Sequence, residues 1–236
     1  MALSLRRFVL WDIDGTLIHG GRASREVFAD AVARVTGRPS DDGGVRMSGK
    51  TDPLIALEIM EHAGIAEDVA RSYLPKVLLA LEEGLEAAAH RIRAEGHAHA
   101  GAMGVIRALA EDPAFVQSVL TGNLKANARV KLAAFGFDAY LDLDVGAYGS
   151  DDSDRRRLIP IAVRRLEERR GWSPRPGDVW VIGDTPRDLD AARAADARCL
   201  LVATGGYGFE DLAALGADAA LPSLEDSDAV LRALRG

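Results

Sequence analysis

Asp12 and Asp14 stand two positions apart, and Gly15 and Thr16 follow them directly. The run before them, Phe8-Val9-Leu10-Trp11, is apolar and short, the signature of a buried strand. An extended chain points residues i and i+2 the same way. Both carboxylates therefore face one cleft beyond the strand's carboxyl end, where open α/β sheets bind ligands. Two like charges this close are costly unless a cation or a proton lies between them. The pair suits a divalent metal, a catalytic carboxylate pair, or both.

Three further groups follow segments that read as strands or their loops. Thr121-Gly122-Asn123 comes after the apolar run 116–120, and Asp184-Thr185-Pro186-Arg187-Asp188 after the run 179–183. The basic stretch Arg155-Arg156-Arg157 precedes a helical pattern. A parallel sheet collects its strand ends on one edge, so acids, a hydroxyl, a backbone turn and a base converge there. That set suits phosphoryl transfer. One carboxylate attacks phosphorus and a second handles the proton. A metal and a cation neutralise the phosphate oxygens, which a hydroxyl and backbone N–H groups orient.

The elements that must position these groups are legible as alternation. Strands are predicted at 115–120, 141–145, 179–182, 198–202 and 219–221. Helices are predicted at 125–135, 156–170, 186–195, 210–215 and from 224 onward. The fold class that follows is α/β, a Rossmann-like parallel sheet core with helices on both faces. The stretch 19–96 differs, with helical periodicity and no convincing strand. Val27, Phe28, Ala31, Val32 and Val35 share one face, Leu54 to Met60 form a second helix, and 66–95 is helical with a break expected near Pro75. This block reads as an inserted all-helical cap over 19–97, with the core made of 1–18 and 98–236.

Bulk properties narrow the partners. A net charge of −7 argues against nucleic acid. No apolar run reaches the length of a membrane span. Arg6 and Arg7 are followed by only four apolar residues, too few for a secretory leader. The single cysteine, Cys199, lies in an apolar run and is expected in the core. The expectation is a cytoplasmic protein that meets a small molecule, with no nucleic acid and no membrane.

The order Asp-x-Asp-Gly-Thr, Thr-Gly-Asn, a base, then Gly-Asp-Thr-x-x-x-Asp resembles the haloacid dehalogenase-type hydrolase superfamily over essentially the whole chain. Phosphoglycolate phosphatase-like capped phosphatases are the nearest subgroup. The resemblance implies a Mg²⁺-dependent phosphatase with a helical cap. It makes Asp12 the nucleophile that forms an aspartyl-phosphate, and Asp14 the group that protonates the leaving group and then activates water. It places Mg²⁺ on Asp12, the backbone carbonyl of Asp14, and Asp184, with Asp188 as a supporting or alternative ligand. Thr121, Gly122 and Asn123 would hold the phosphate. Dehalogenases need no acid at the second position, because halide leaves unprotonated, so Asp14 points to phosphate esters.

The departure from the family pattern lies in the third motif, where a lysine is usual and this chain has only arginines. Arg155 is the preferred match and Arg156 the second. Lys131 sits inside the helix after the second motif and is set aside. In the cap, Thr51 or Asp52 suits a helix cap before Pro53, and Arg46 and Lys50 are candidate substrate contacts. His97-Ala98-His99 reads as a linker and His19 as a hinge residue. Sugar-phosphate mutases of the superfamily share all four motifs, and phosphonate cleavage would need a cap lysine, Lys50 or Lys76. A non-catalytic phospho-ligand-binding or regulatory protein is the reading from a different class.

Overall fold

The computed structural model describes residues 6–236; the first five, part of the amino-terminal stretch read above, lie outside it. In chain order the elements are β1 (Arg7–Trp11), β2 (Ile18–His19), α1 (Ala23–Thr36), α2 (Asp52–His62), α3 (Glu67–Ala87), α4 (Ala89–Glu95), β3 (His97–Ala98), α5 (Ala102–Ala110), β4 (Phe115–Val119) and α6 (Lys125–Phe135). Then come a 3₁₀ turn at Arg155–Arg157, α7 (Leu158–Arg170), β5 (Val179–Gly183), α8 (Pro186–Ala194), β6 (Arg198–Val202), α9 (Phe209–Ala213), β7 (Ala219–Leu221) and α10 (Ser227–Arg235).

The five core strands form one parallel sheet in the order β4-β1-β5-β6-β7. Strand periodicity explains the two layers that cover it. Val9, Trp11, Trp180, Ile182, Leu200 and Val202 face one side, where α5 and α10 pack. Phe8, Leu10, Val179, Val181, Cys199 and Leu201 alternate with them and face α7, α8 and α9. Cys199 is fully buried there, as expected. The chain moves from β1 to β4 on one side and then to β5 on the other, so β1 is the switch point of the sheet. Asp12 immediately follows it.

The cap is built on α1–α4 around its own core, including Val27, Phe28, Ile59, Met60 and Leu81. Leu124 joins that core, and Val130, Ala134 and Phe135 of α6 pack against it. The cap is therefore seated on α6 rather than tethered by loops alone.

Three expectations about elements need correction. Residues 141–145 form turns, not a strand. The loop instead borders β4 through single bonds, Asp142 N–H to the Gln117 carbonyl (2.9 Å) and Ala147 N–H to the Val119 carbonyl (3.0 Å). Asp142 and Asp144 account for the turn, since the Asp142 side chain accepts the Asp144 N–H at 3.3 Å. Pro75 does not interrupt the cap, because α3 runs through it and the break comes at Ala88. Proline removes one hydrogen bond on an exposed face, while Val77, Leu81 and Leu85 bury the opposite stripe and hold the helix together. Finally, the neck of the insertion contains a small antiparallel pair, Ile18 with Ala98 and His19 with His97, which ties the two chain crossings to each other.

Candidate active site

A cleft of about 400 Å³ lies where the cap meets the carboxyl edge of the sheet. Four of the five core strand ends each deliver one part of it. Asp12 follows β1, Thr121 follows β4, Asp184 follows β5, and Thr204-Gly205 follow β6. Gly15 takes a positive φ of 87°, which lets the chain turn back so that its N–H meets the Ile18 carbonyl at 2.8 Å.

Asp12 is 3% exposed. One of its oxygens, Oδ1, lies 2.8 Å from Arg155 Nη2. The same nitrogen donates to Asp188 Oδ1 at 2.6 Å and to the Leu120 carbonyl at 3.1 Å. Arg155 thus reaches the cleft from the 3₁₀ turn before α7. Arg156, the second choice, is exposed and bound to Asp154. The Arg155 charge suffers from burial, yet Asp12 and Asp188 raise its pKa above the ordinary value.

Asp12, Asp184 and Asp188 each offer an oxygen within 4.8 Å of the others. Burial pushes the Asp184 carboxyl up to about 8, with repulsion from Asp12 and Asp188 adding to the effect. Burial likewise lifts Asp12 to about 6, against the pull of Arg155. Closely set, buried acids of this kind fit a hard divalent cation such as Mg²⁺. The three do not fit it equally. Asp188 already accepts from Arg155 on Oδ1, and from the Thr185 N–H (3.0 Å) and Thr185 hydroxyl (2.8 Å) on Oδ2. Its oxygens are engaged, and it closes the capping box of α8. Among the described residues, Asp184 receives only a long bond from the Thr16 hydroxyl, at 3.3 Å. Space around it is reserved by glycine: a Cβ on Gly205 would sit 1.8 Å from Asp184 Oδ2, and one on Gly15 2.5 Å.

The second-motif turn is internally bonded. The Thr121 hydroxyl accepts from Asn123 Nδ2 at 2.7 Å and from the Asn123 N–H at 3.3 Å. Asn123 Nδ2 also donates to Asp14 Oδ2 at 2.8 Å. Lys131, set aside on sequence grounds, reaches the same oxygen. Its Nζ lies 2.7 Å from Asp14 Oδ2 and 2.7 Å from Asn123 Oδ1. The missed signal was helical spacing. Lys131 stands two turns along from Asn123 on an element that begins at the cleft, so it projects from the same face.

In the cap, Lys50 lines the cleft and is paired with Glu58. Arg46 is exposed and outside the cleft lining, a correction to its expected role. Arg25 lines the cleft in its place and holds Asp42 at 2.6 Å. The spacing of the cap gave no sign of it. Asp52 does not cap its own helix. Its Oδ2 accepts from the Leu124 N–H (2.8 Å) and Asn127 Nδ2 (2.9 Å), at the start of α6. Thr51, in the cap position with an extended backbone, donates its hydroxyl to the Ser153 carbonyl at 3.0 Å. His99, read as part of a linker, and His19, read as a hinge residue, both line the cleft.

Residues 9–193 match the family model described as haloacid dehalogenase-like hydrolase. The chain belongs to the haloacid dehalogenase-like hydrolase family. None of the curated proteins matches the sequence. Solved structures share the fold at low identity. One is a predicted phosphatase from Clostridium acetobutylicum, 20% identical with a TM-score of 0.68, covering 97% of this chain and 99% of its own. A second is CbbY from Rhodobacter sphaeroides in complex with phosphate, 20% identical with a TM-score of 0.67, covering 94% and 96%. A third is a predicted phosphoglycolate phosphatase from Haemophilus somnus 129pt, 16% identical with a TM-score of 0.66, covering 98% and 100%. At these identities the likeness is one of fold.

Proposed function

We propose that this hydrolase is a Mg²⁺-dependent phosphatase that acts on a small phosphorylated metabolite in the cytoplasm through an aspartyl-phosphate on Asp12. The observation that carries the reading is the unequal use of the Asp12 oxygens. Oδ1 is held by Arg155, which leaves Oδ2 to attack, while Asp184 stands beside the pair with almost no protein partner. Asp12, Asp184 and the Asp14 backbone carbonyl would hold Mg²⁺, which supplies charge neutralisation on the phosphate oxygens.

The chain's own residues do the rest. Asp12 forms a bond to phosphorus as the bond to the leaving oxygen breaks, and Asp14 gives that oxygen a proton. In the second half, Asp14 takes a proton from water as water attacks phosphorus and Asp12 is released. Arg155, Thr121 and the N–H groups around Gly122 and Asn123 orient the phosphate. The cap covers the cleft and excludes bulk water. The cleft's size suits a metabolite rather than a phosphoprotein. Phosphonate cleavage is disfavoured because Lys50 is paired with Glu58 and Lys76 is exposed and does not line the cleft.

The test is phosphate release from a panel of phosphorylated metabolites with Mg²⁺. Turnover of at least one is expected, abolished by EDTA and by Asp12→Asn. Undiminished activity in Asp12→Asn would overturn the covalent route, and return of the phosphoryl group to the sugar would turn the reading toward a mutase.

A further inference from the structure

Asp14 is gripped on one side only. Both donors that reach it, Lys131 Nζ at 2.7 Å and Asn123 Nδ2 at 2.8 Å, bind the same oxygen, Oδ2. Among the described residues no protein donor reaches Oδ1. The grip is itself fixed. Lys131 Nζ also donates to Asn123 Oδ1, and the second hydrogen of Asn123 Nδ2 goes to the Thr121 hydroxyl. The side chain of Lys131 is only 6% exposed, whereas that of Asp14 is 41% exposed. A buried clamp therefore holds a carboxylate that opens to the cleft. The neutralising role toward Asp12 and Asp188 is already filled by Arg155, which makes no bond to Asp14. Lys131 is thus a second buried cation at the cleft, with a different partner.

We infer that Lys131 is a positioning residue for proton transfer: with Asn123 it occupies Oδ2 of Asp14, so that only Oδ1 exchanges a proton with the leaving oxygen. This rests on the reading of Asp14 as the acid. As the phosphorus–oxygen bond breaks, its electron pair stays on the leaving oxygen, and that oxygen takes the proton from Oδ1. The negative charge that develops on Asp14 then faces Lys131 and Asn123, which are already in place. When water attacks, the proton returns to Oδ1. The clamp also stops the carboxyl from rotating and presenting the wrong oxygen.

The consequence is selectivity among esters by how much help their leaving group needs. An alkyl phosphate expels a basic alkoxide and depends on the proton; 4-nitrophenyl phosphate expels a stable phenolate and hardly does. With the full chain and Mg²⁺, Lys131→Met is expected to lower kcat/KM, which reports only the steps up to departure of the leaving group, by roughly 10²-fold on an alkyl monophosphate, the scale of general acid catalysis. The expected loss on 4-nitrophenyl phosphate is less than about tenfold, and Lys131→Arg should recover part of the alkyl activity. Lys131→Gln serves where the methionine variant does not fold, with the same ester-selective loss. Equal losses on both esters would overturn the inference in favour of phosphate binding or a purely structural role, and so would no loss on either. Asp14→Asn separates the two claims. If it shows the ester-selective loss and the Lys131 variants do not, the inference alone falls. If Asp14→Asn spares the alkyl ester, Asp14 is not the acid and both fall.

Discussion

The Asp52 carboxylate, carried by the cap, accepts a hydrogen bond from the backbone N–H of Leu124 in the core at 2.8 Å. The Asp52 N–H in turn donates to the Gly122 carbonyl at 2.7 Å. The first residue of a cap helix thus closes the amino terminus of α6 and grips the turn that carries Thr121 and Asn123. Asp52→Ala would leave the Leu124 N–H and the Asn127 amide buried without an acceptor. The expected cost is about 1–3 kcal/mol, read by denaturant unfolding, together with faster proteolysis of the 37–51 segment. Asp52→Asn, which keeps an acceptor, should lose much less.

Much of this was legible because strand and helix periodicities are local. The alternation of Phe8 and Leu10 with Val9 and Trp11 announces a strand buried on both faces, and its carboxyl end locates Asp12. Arg155 was legible from its distance to the helix that follows. What escaped was set by tertiary placement. Lys131 is an ordinary helical lysine until α6 is laid along the cleft. Asp52 looks like a cap for its own helix until the core supplies the N–H groups of a different one. Pro75 breaks a helix by propensity, and the burial of Val77, Leu81 and Leu85 overrides it. Residues 141–145 have strand-like composition, but the Asp142 side chain offers the backbone a local turn instead.

Arg155 bridges two acidic side chains that repel each other without it. It lies 2.8 Å from Asp12 and 2.6 Å from Asp188, and all three are buried. Arg155→Met leaves two carboxylates facing each other with no cation. The loss of stability is expected to be about 3–5 kcal/mol at pH 7, the scale for breaking a buried pair, with turnover lost as well. Arg155→Lys keeps the charge but carries it on a shorter arm, whereas the Arg155 nitrogen that meets both acids lies at the guanidinium tip. It should recover stability more than activity, a split read by comparing unfolding curves with phosphate release.

Metal-free protein should be most stable in mild acid. The carboxyls of Asp184 and Asp12 sit at about 8 and about 6 in the folded chain, above the ordinary 3.8. Asp52, raised by burial to about 6, has the same sign. The folded state therefore holds protons that the unfolded state has released, and stability falls as pH rises from about 4 to about 8. Asp154, held down to about 2 by Arg156, acts in the opposite direction but titrates below that window. A divalent cation competes with those protons. Thermal melts with EDTA should show Tm dropping between pH 5 and pH 8, and Mg²⁺ should restore it far more at pH 8 than at pH 5. A melting curve that stays level across this range, with Mg²⁺ adding the same increment at each pH, would contradict the shared-cation site.

Two adjacent glycines give a sharper test of the same ion. Gly205 and Gly206 both line the cleft. A Cβ on Gly205 would lie 1.8 Å from Asp184 Oδ2, whereas one on Gly206 meets nothing within 4 Å. Neither glycine is in the left-handed region, so alanine imposes no backbone strain at either. The clash in Gly205→Ala falls on the tip of a side chain, which can rotate away. The fold should survive, and the carboxylate should no longer point where Asp12 can share its cation. Displacing a metal ligand's support commonly costs about 10–100-fold in metal affinity. Gly205→Ala is accordingly expected to need at least roughly tenfold more Mg²⁺ for half-maximal phosphate release. Its melting temperature in EDTA should match that of the unaltered protein, and Gly206→Ala should be indistinguishable from it in both assays. The pair separates a change in ion binding from a change in folding, because the two substitutions add the same methyl to the same loop and only one of them meets Asp184.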